Sequence, residues 1–494
     1  MSMQMETKDT GGTFGSKGNF FVVMVMILGV FVAILNETLL NVALSKIMGD
    51  IGISPSTAQW LSTGYLLVIG VLIPVTAFLI QRFTTRGLFL SAMGLFTIGT
   101  LVAAISPNFG MLLLGRTLQA SGTGLLFPLL TNVVFATVAL EKRGQAMGTI
   151  GIVITFAPAI GPTLSGIIVE HYSWRVLFYS ILPIALFVMV IAYAKLKNVT
   201  ETSKPRIDLP SLLLSTLGFG GIVYGFSSAG DPHGGWGSSS VLVPIVVGAL
   251  SLGLFIWRQL SIPQPLLNLR TFTYRIFRIS TMIMIIVMMA MFSAMMLLPI
   301  FLQNALGYTP LEAGLIMLPG GIVMGIMSPI TGRLFDKFGA KWLAVVGLVL
   351  IANTLWQFAY ITLATSYITI MVWNTLLMLG ISMLMMPVMT NALNELPPPL
   401  YPHGTAIIST LQQVAGAVGT ALLVTVMTTG QKQYLQHPQG GSEGAPVEVL
   451  ALISGMKSAF LLAFGLVVAG LIISFFLRRA VPQQPEAEPT AESA

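Results

Sequence analysis

The chain has 494 residues, 55% of them hydrophobic and 8% charged, where a soluble domain carries about 25% charged residues. So few charges cannot clothe a water-facing surface of this size, so the bilayer must be the solvent for most of the chain. Cysteine is absent, which excludes disulfides and thiolate metal sites, and the net charge of +7 comes from basic residues placed singly or in pairs between apolar runs, a poor pattern for binding nucleic acid.

Residues 1–19 are polar and mixed in charge and read as a cytoplasmic tail, with none of the small-residue cleavage pattern of a signal peptide. A bilayer crossing needs about 20 apolar residues in a helix. The pattern predicts fourteen such runs. The first six cover 20–44, 58–80, 87–106, 109–136, 145–168 and 176–195. Two more cover 209–229 and 239–260. The last six cover 280–304, 312–334, 341–361, 366–389, 404–428 and 455–477. Most connections are short, the longest being the polar stretch 429–454. The tail 479–494 is acidic and Pro-rich and reads as disordered.

Charge sets the orientation. With the N-terminus in the cytoplasm, nineteen Lys and Arg fall in inner segments and four, Lys46, Arg175, Lys432 and Lys457, in outer ones. Arg116 is left inside a span. This is the positive-inside bias, and it places both termini in the cytoplasm of a multi-pass protein of the cell membrane.

The sequence also repeats itself. Pro74-Val-Thr-Ala-Phe-Leu-Ile-Gln-Arg-Phe83 aligns with Pro329-Ile-Thr-Gly-Arg-Leu-Phe-Asp-Lys-Phe338 at an offset of 255. Pro128-Leu-Leu-Thr-Asn132 aligns with Pro387-Val-Met-Thr-Asn391 at 259. The order and near-constant offset predict an all-α membrane protein of two six-helix halves, 20–196 and 280–478. The segment 197–279, with its two extra spans, is inserted between them. Parallel repeats around a midplane site are an architecture of secondary transporters.

These residues resemble the major facilitator superfamily. Gly332-Arg-Leu-Phe-Asp-Lys-Phe-Gly-Ala-Lys341 is similar to its cytoplasmic loop motif. The resemblance implies that Asp336, with Arg333 and Lys337, gates the inner side. In the first-half copy Gln81 stands for the Asp and Thr84 for the Gly, which puts a first-half lock in doubt. Leu114-Gly-Arg-Thr-Leu-Gln-Ala-Ser-Gly-Thr-Gly124 resembles the family's intramembrane Arg motif, with Arg116 in register. Ala157-Pro-Ala-Ile-Gly-Pro-Thr-Leu-Ser-Gly166 resembles the antiporter signature, in which Gly161, Pro162 and Gly166 match. Leu35-Asn-Glu-Thr-Leu-Leu-Asn-Val-Ala-Leu44 resembles the first span of fourteen-span drug:proton antiporters of the EmrB/QacA type, in wording closest to the LmrB-like members. The usual Asp of that stretch is Asn36 here, with Glu37 beside it.

Among the acidic residues only Glu37 lies well inside a span, and an intramembrane ionisable group is a functional candidate by default. Counted along their spans, Glu37 and Arg116 each lie about 10 Å below the outer edge. Burial favours the proton on a carboxyl and a nearby guanidinium opposes it, so a bound cation can switch such a site. Glu37 and Arg116 are therefore the proton-coupling pair; a static pair that only joins two helices is the plainer alternative. Asn36, Asn41, Gln119, Asn391 and Gln412 are candidates either to orient cargo or to bond across helices. Seven Met crowd residues 282–296, too many for all to face one cavity. No P-loop, zinc-binding helix or nucleophile elbow is present, so an ion gradient or the substrate's own gradient is the energy source, and the resemblance to drug:proton antiporters implies a proton gradient and no cofactor. The resulting expectation is an exporter whose partners are small hydrophobic or cationic drugs, protons and the lipid bilayer, without an obligate protein partner. A symporter or uniporter for one metabolite is the rival within transporters. A membrane-embedded lipid-modifying enzyme is the rival outside them, and no catalytic constellation supports it.

Overall fold

The computed structural model describes residues 17–53, 55–199, 202, 208–229, 236–437 and 446–480. Fourteen long helices follow in chain order. The first half holds α1 (Lys17–Ile51), α2 (Pro55–Arg82), α3 (Thr85–Ala104), α4 (Phe109–Thr137), α5 (Arg143–His171) and α6 (Arg175–Lys195). The inserted pair is α7 (Leu209–Ala229) and α8 (Ser239–Ser261). The second half holds α9 (Arg275–Asn304), α10 (Pro310–Phe338), α11 (Ala340–Ala359), α12 (Tyr367–Asn394), α13 (Tyr401–Gln436) and α14 (Val447–Ser474). Helices satisfy their own backbone polar groups, which lipid cannot do. Among the described residues, thirteen helices are long and apolar enough to cross a membrane on their own composition. The remaining long helix, α5, is diluted by Gly, Thr and Pro, yet its 29 residues reach about 43 Å at 1.5 Å each.

The repeat read from the sequence is visible in the packing. Within the first half α3 packs on α4 and α6, α2 on α4, and α1 on α5 and α6. Within the second, α11 packs on α12 and α14, α10 on α12, and α9 on α13 and α14. The halves meet through α5 with α10 and through the equivalent pair, α2 with α13. The inserted helices pack on each other, and α7 leans on both α2 and α13.

Helix ends differ from the apolar runs. α1 continues past residue 44 to Ile51 because Ala43 and Ile47 keep its buried stripe going, both at 0% exposure. At its end Asp50 accepts from Arg175 (2.7 Å) and Trp174 (2.9 Å), and these bonds hold its carboxyl below the usual range. Glu37 therefore lies fourteen residues from the end of its helix rather than seven from the end of its span. The expected loop 429–454 is largely helix, since α13 reaches Gln436 and α14 starts at Val447. Gln, Lys and Leu sustain a helix beyond the lipid. The tails 1–16 and 481–494, and the stretch 438–445, lie outside the described residues.

The inserted pair is pinned at the face that carries the basic loops. Arg258 grips Asp208 with two bonds of 2.7 Å, from Nε and Nη2. Ser211 also donates to Asp208, Gln259 donates to Ser211 at 2.6 Å, and Leu267 N donates to Gln259 Oε1 at 3.1 Å. Chiefly through the Arg258 bonds, the Asp208 carboxyl is pulled down to about 2 from an ordinary 3.8. A depressed carboxyl stabilises the fold above its unfolded pKa and loses that contribution as pH falls toward the folded one. Asp208→Asn is expected to lower stability by about 1 kcal/mol at neutral pH. Thermal unfolding in detergent should show the gap to the parent closing below pH 3.8; a gap that persists on acidification would place its origin elsewhere.

Candidate functional site

Among the described residues, the spans hold one buried polar cluster around a full charge. Arg116 of α4 is 1% exposed. Its Nε donates to the Leu61 carbonyl of α2 at 3.3 Å and its Nη1 to Gln119 Oε1 at 3.0 Å. The guanidinium lies over the Tyr65 ring, 3.9 Å from its centre. Gln119 Nε2 passes the network on to Thr100 of α3 (2.9 Å) and to Asn36 Oδ1 of α1 (3.5 Å). Tyr65 is fixed in turn by its hydroxyl contact with Thr123, at 2.8 Å. Glu37, next on α1 and partly exposed, acts on Arg116 and Tyr65 through space. A step of one residue turns a helical side chain by about 100°. Asn36 thus joins the amide network, while Glu37 projects from another side of α1, still within electrostatic reach of Arg116. Asn36 Nδ2 is buried with no hydrogen-bond partner among the described residues, an arrangement that costs about 1–3 kcal/mol.

The helix behind this cluster is α5. Thr38 reaches toward the Ala157 carbonyl at 3.5 Å, and Ser165 donates to the Leu39 carbonyl at 2.6 Å. A Cβ added to Gly161 would come 2.8 Å from Thr38 Cβ, so close approach requires the glycine. Among the described residues, nothing lies within 4 Å of a Cβ on Gly166.

At the basic face the two halves are stitched together. The Asp336 carboxylate, at the end of α10, accepts from the backbone N–H groups of Gly144 and Gln145, each at 2.9 Å. These open α5, where the helix dipole favours an anion. Gly144 lets the carboxylate in, for a Cβ there would strike Asp336. Gly148 brings the backbones together one turn on, since its Cβ would lie 2.6 Å from the Ser328 carbonyl. Arg143 donates to Phe135 O (2.8 Å) and Val138 O (3.2 Å) in its own half and to Asn394 (3.0 Å) and Tyr401 (3.1 Å) in the other. Nearby, Glu395 accepts from Phe277 N at 2.7 Å, and burial raises its carboxyl above the usual range. A cavity of about 980 Å³ opens beside this seam, bordered by Gln81, Arg143, Asp208, Tyr401 and His403.

The model of the Major Facilitator Superfamily matches residues 26–420. The chain belongs to this superfamily. It is 47% identical over 458 residues to the lincomycin resistance protein LmrB of Bacillus subtilis, covering 93% of this chain and 95% of that one. It is 29% identical over 482 residues to the multidrug resistance protein B homolog of Mycobacterium tuberculosis, covering 92% and 89%. The solved proton:xylose symporter XylE superposes with a TM-score of 0.65 at 15% identity, over 94% of this chain and 97% of that one, a likeness of fold alone.

In this facilitator the structure brings together Asn36, Glu37, Arg116 and Gln119, and leaves the other expected residues elsewhere. Asn391 sits at the basic end, where it donates to Arg478 O and accepts from Ala480 N, both at 3.0 Å. Gln412 is half-buried on α13 with no hydrogen bond among the described residues. The side chains of Asn41 and Pro162 lie outside the described residues. Arg333 and Lys337 are exposed and do not reach the Asp336 carboxylate; Arg479 approaches instead, donating to the Asp336 carbonyl at 2.9 Å. The α9 methionines divide, with Met284 and Met288 buried and Met282, Met295 and Met296 exposed. Tyr65 and Thr100 had no motif to mark them, and Thr123 stood in the Arg motif without a role. Arg143 and His403 were legible only as a loop charge and a span-end histidine.

Gly161→Ala is expected to cut transport at least severalfold, and Gly166→Ala to leave it near the parent's level, at matched expression. Equal loss in both variants would detach the motif from helix packing. Asp336→Asn keeps an oxygen for the α5 N–H groups but drops the charge, which is worth about 0.3–1 kcal/mol at a helix end. We expect impaired transport with cargo binding retained; efflux at the parent's rate would show that the charge does not hold the seam.

Proposed function

We propose that this chain exports hydrophobic, often cationic, small molecules across the cell membrane in exchange for protons, by alternating access. The class of cargo is supported by relatives whose names record resistance to lincomycin and to multiple drugs. Facilitators are transporters, and the spans supply no enzymatic machinery. The bias of basic residues makes the seam side cytoplasmic. The seam is then the closed inner gate of an outward-facing state, held by Asp336 on α5 and by Arg143 across the halves.

One observation carries the coupling: a single carboxylate deep in the spans stands beside a buried guanidinium whose own bonds go to neutral acceptors. Arg116 is anchored to Leu61 and Gln119, so Glu37 remains available to cargo and proton. A cationic cargo stabilises the carboxylate at the inner side. Its release outward leaves an uncompensated anion, and the Glu37 carboxyl takes a proton from that side. The neutral acid permits return, and the proton leaves inward when the next cation arrives. Only the occupant of Glu37 differs between the two directions, and that difference biases the two-state equilibrium.

Energised cells or vesicles loaded with ethidium test this directly. We expect efflux that an uncoupler abolishes, and at least a tenfold loss in Glu37→Gln with binding of neutral drugs retained. Uncoupler-sensitive efflux at the parent's rate in Glu37→Gln would remove Glu37 from the mechanism. Efflux indifferent to the uncoupler would remove the proton.

A further inference from the structure

The first-half copy of the loop motif lacks its acid, yet the place that acid would occupy is not idle. The repeat maps Asp336 back onto Gln81 at the offset of 255, and Gly144 forward onto His403 at 259. The structure joins these two residues as well. The amide end of Gln81, on α2, lies 2.8 Å from His403 Nε2, at the start of α13. The opposite ring nitrogen is also engaged, for the backbone N–H of Asn268 donates to His403 Nδ1 at 3.3 Å. Asn268 lies in the connection between α8 and α9. Three parts of the chain therefore converge on one imidazole that is 8% exposed.

From these contacts we infer that Gln81, His403 and Asn268 form a second inner latch, uncharged, and that it ties the connection after the inserted helices to the gate. With Nδ1 accepting from Asn268, the neutral ring carries its proton on Nε2. That N–H donates across the seam to Gln81 once the amide, whose Nε2 is the atom set against the ring, is assigned with its oxygen there. Asn268 is a positioning residue that fixes the tautomer and the aim of the ring. The change from the α10 latch follows from the residues. At 144 a glycine exposes backbone N–H groups to a carboxylate; at 403 the imidazole fills the corresponding space, and the contact passes from side chain to side chain. Thr84, the other departure, is used locally, its side chain accepting from Gly87 N at 3.2 Å to cap α3. The second-half connection needs glycine there because Gly339 takes a φ of 78°. The bond that must break when this face opens is Gln81 to His403, since Asn268 leads directly into α9 of the same half as the ring.

This inference rests on the alternating-access reading above, and the test separates the two. The chain has no cysteine, so Phe83→Cys and Pro399→Cys introduce the only thiols, for spin labels on either side of the seam. Pulsed electron resonance distances then report the fraction with this face open, and ethidium efflux is followed in parallel. Gln81→Leu, which removes the acceptor at similar size, is expected to raise the open fraction about threefold to tenfold, the effect of one net hydrogen bond. Gln81→Glu keeps an oxygen for Nε2–H and is expected to hold the closed fraction at the parent's level or above. In a His403→Leu background the two variants should be indistinguishable. Equal distance distributions for parent and Gln81→Leu would overturn the latch, and so would a Leu-to-Glu difference that survives without His403. Asp336→Asn in the same labelled chain tells how far the failure extends. A shift there with none at Gln81 removes only the second latch, whereas no shift in either removes the gate reading too.

Discussion

A full charge at bilayer depth has to be answered by the protein, because lipid offers neither water nor hydrogen bonds. Arg116 meets this condition, and much of the first half is organised by it. Its guanidinium takes a carbonyl from α2, an amide from its own helix and the face of Tyr65. The amide is held by α3 and α1 in turn. Four helices are thereby registered against each other by polar contacts that could not slide without exposing a charge. Near this fixed cation lies Glu37, within electrostatic reach of the guanidinium. A permanent charge that is structurally satisfied beside a carboxylate is the environment on which the proposed proton exchange at Glu37 rests.

The second constraint is the seam between the halves, which the proposed alternating access requires to part and rejoin. Hydrophobic burial drives little between helices that sit in lipid, so association falls to close packing and hydrogen bonds. The seam uses both. Gly144 and Gly148 bring α5 and α10 backbone to backbone, and Asp336 caps α5 from across the boundary. Arg143 spans the halves through neutral acceptors, and the aromatic rings of Phe135 and Tyr401 flank its charge at 4.8 and 5.2 Å. These contacts are numerous and individually modest, which suits the proposed opening of this interface. The inserted helices are attached differently, with a bidentate Asp208–Arg258 pair and a chain of side-chain bonds at their base. These bonds hold the inserted helices to each other, and α7 meets the bundle by packing on α2 and α13.

Composition, span count, charge bias and the repeat were determined by the sequence itself, because lipid imposes length and polarity locally, residue by residue. Glu37 and Arg116 were legible for the same reason: a charge in an apolar run stands out wherever the run folds. The loop motif marked Asp336, since its residues are contiguous. Tertiary structure alone decided the partners. Gly144 is 192 residues from Asp336 and His403 is 322 from Gln81, and an ordinary glycine or a lone histidine carries no local sign of what packs against it. It also moved residues between roles. Asn391 looked like an intramembrane amide that orients cargo or bonds across helices and instead binds the backbone after α14, while Tyr65, which no motif marked, lies against Arg116. Helix ends shifted too, because α1 and α13 leave the lipid before they leave the protein, and neighbours or water then decide where a helix stops. Polarity along the chain fixes depth; which polar group answers which is set by the packing of helices distant in sequence.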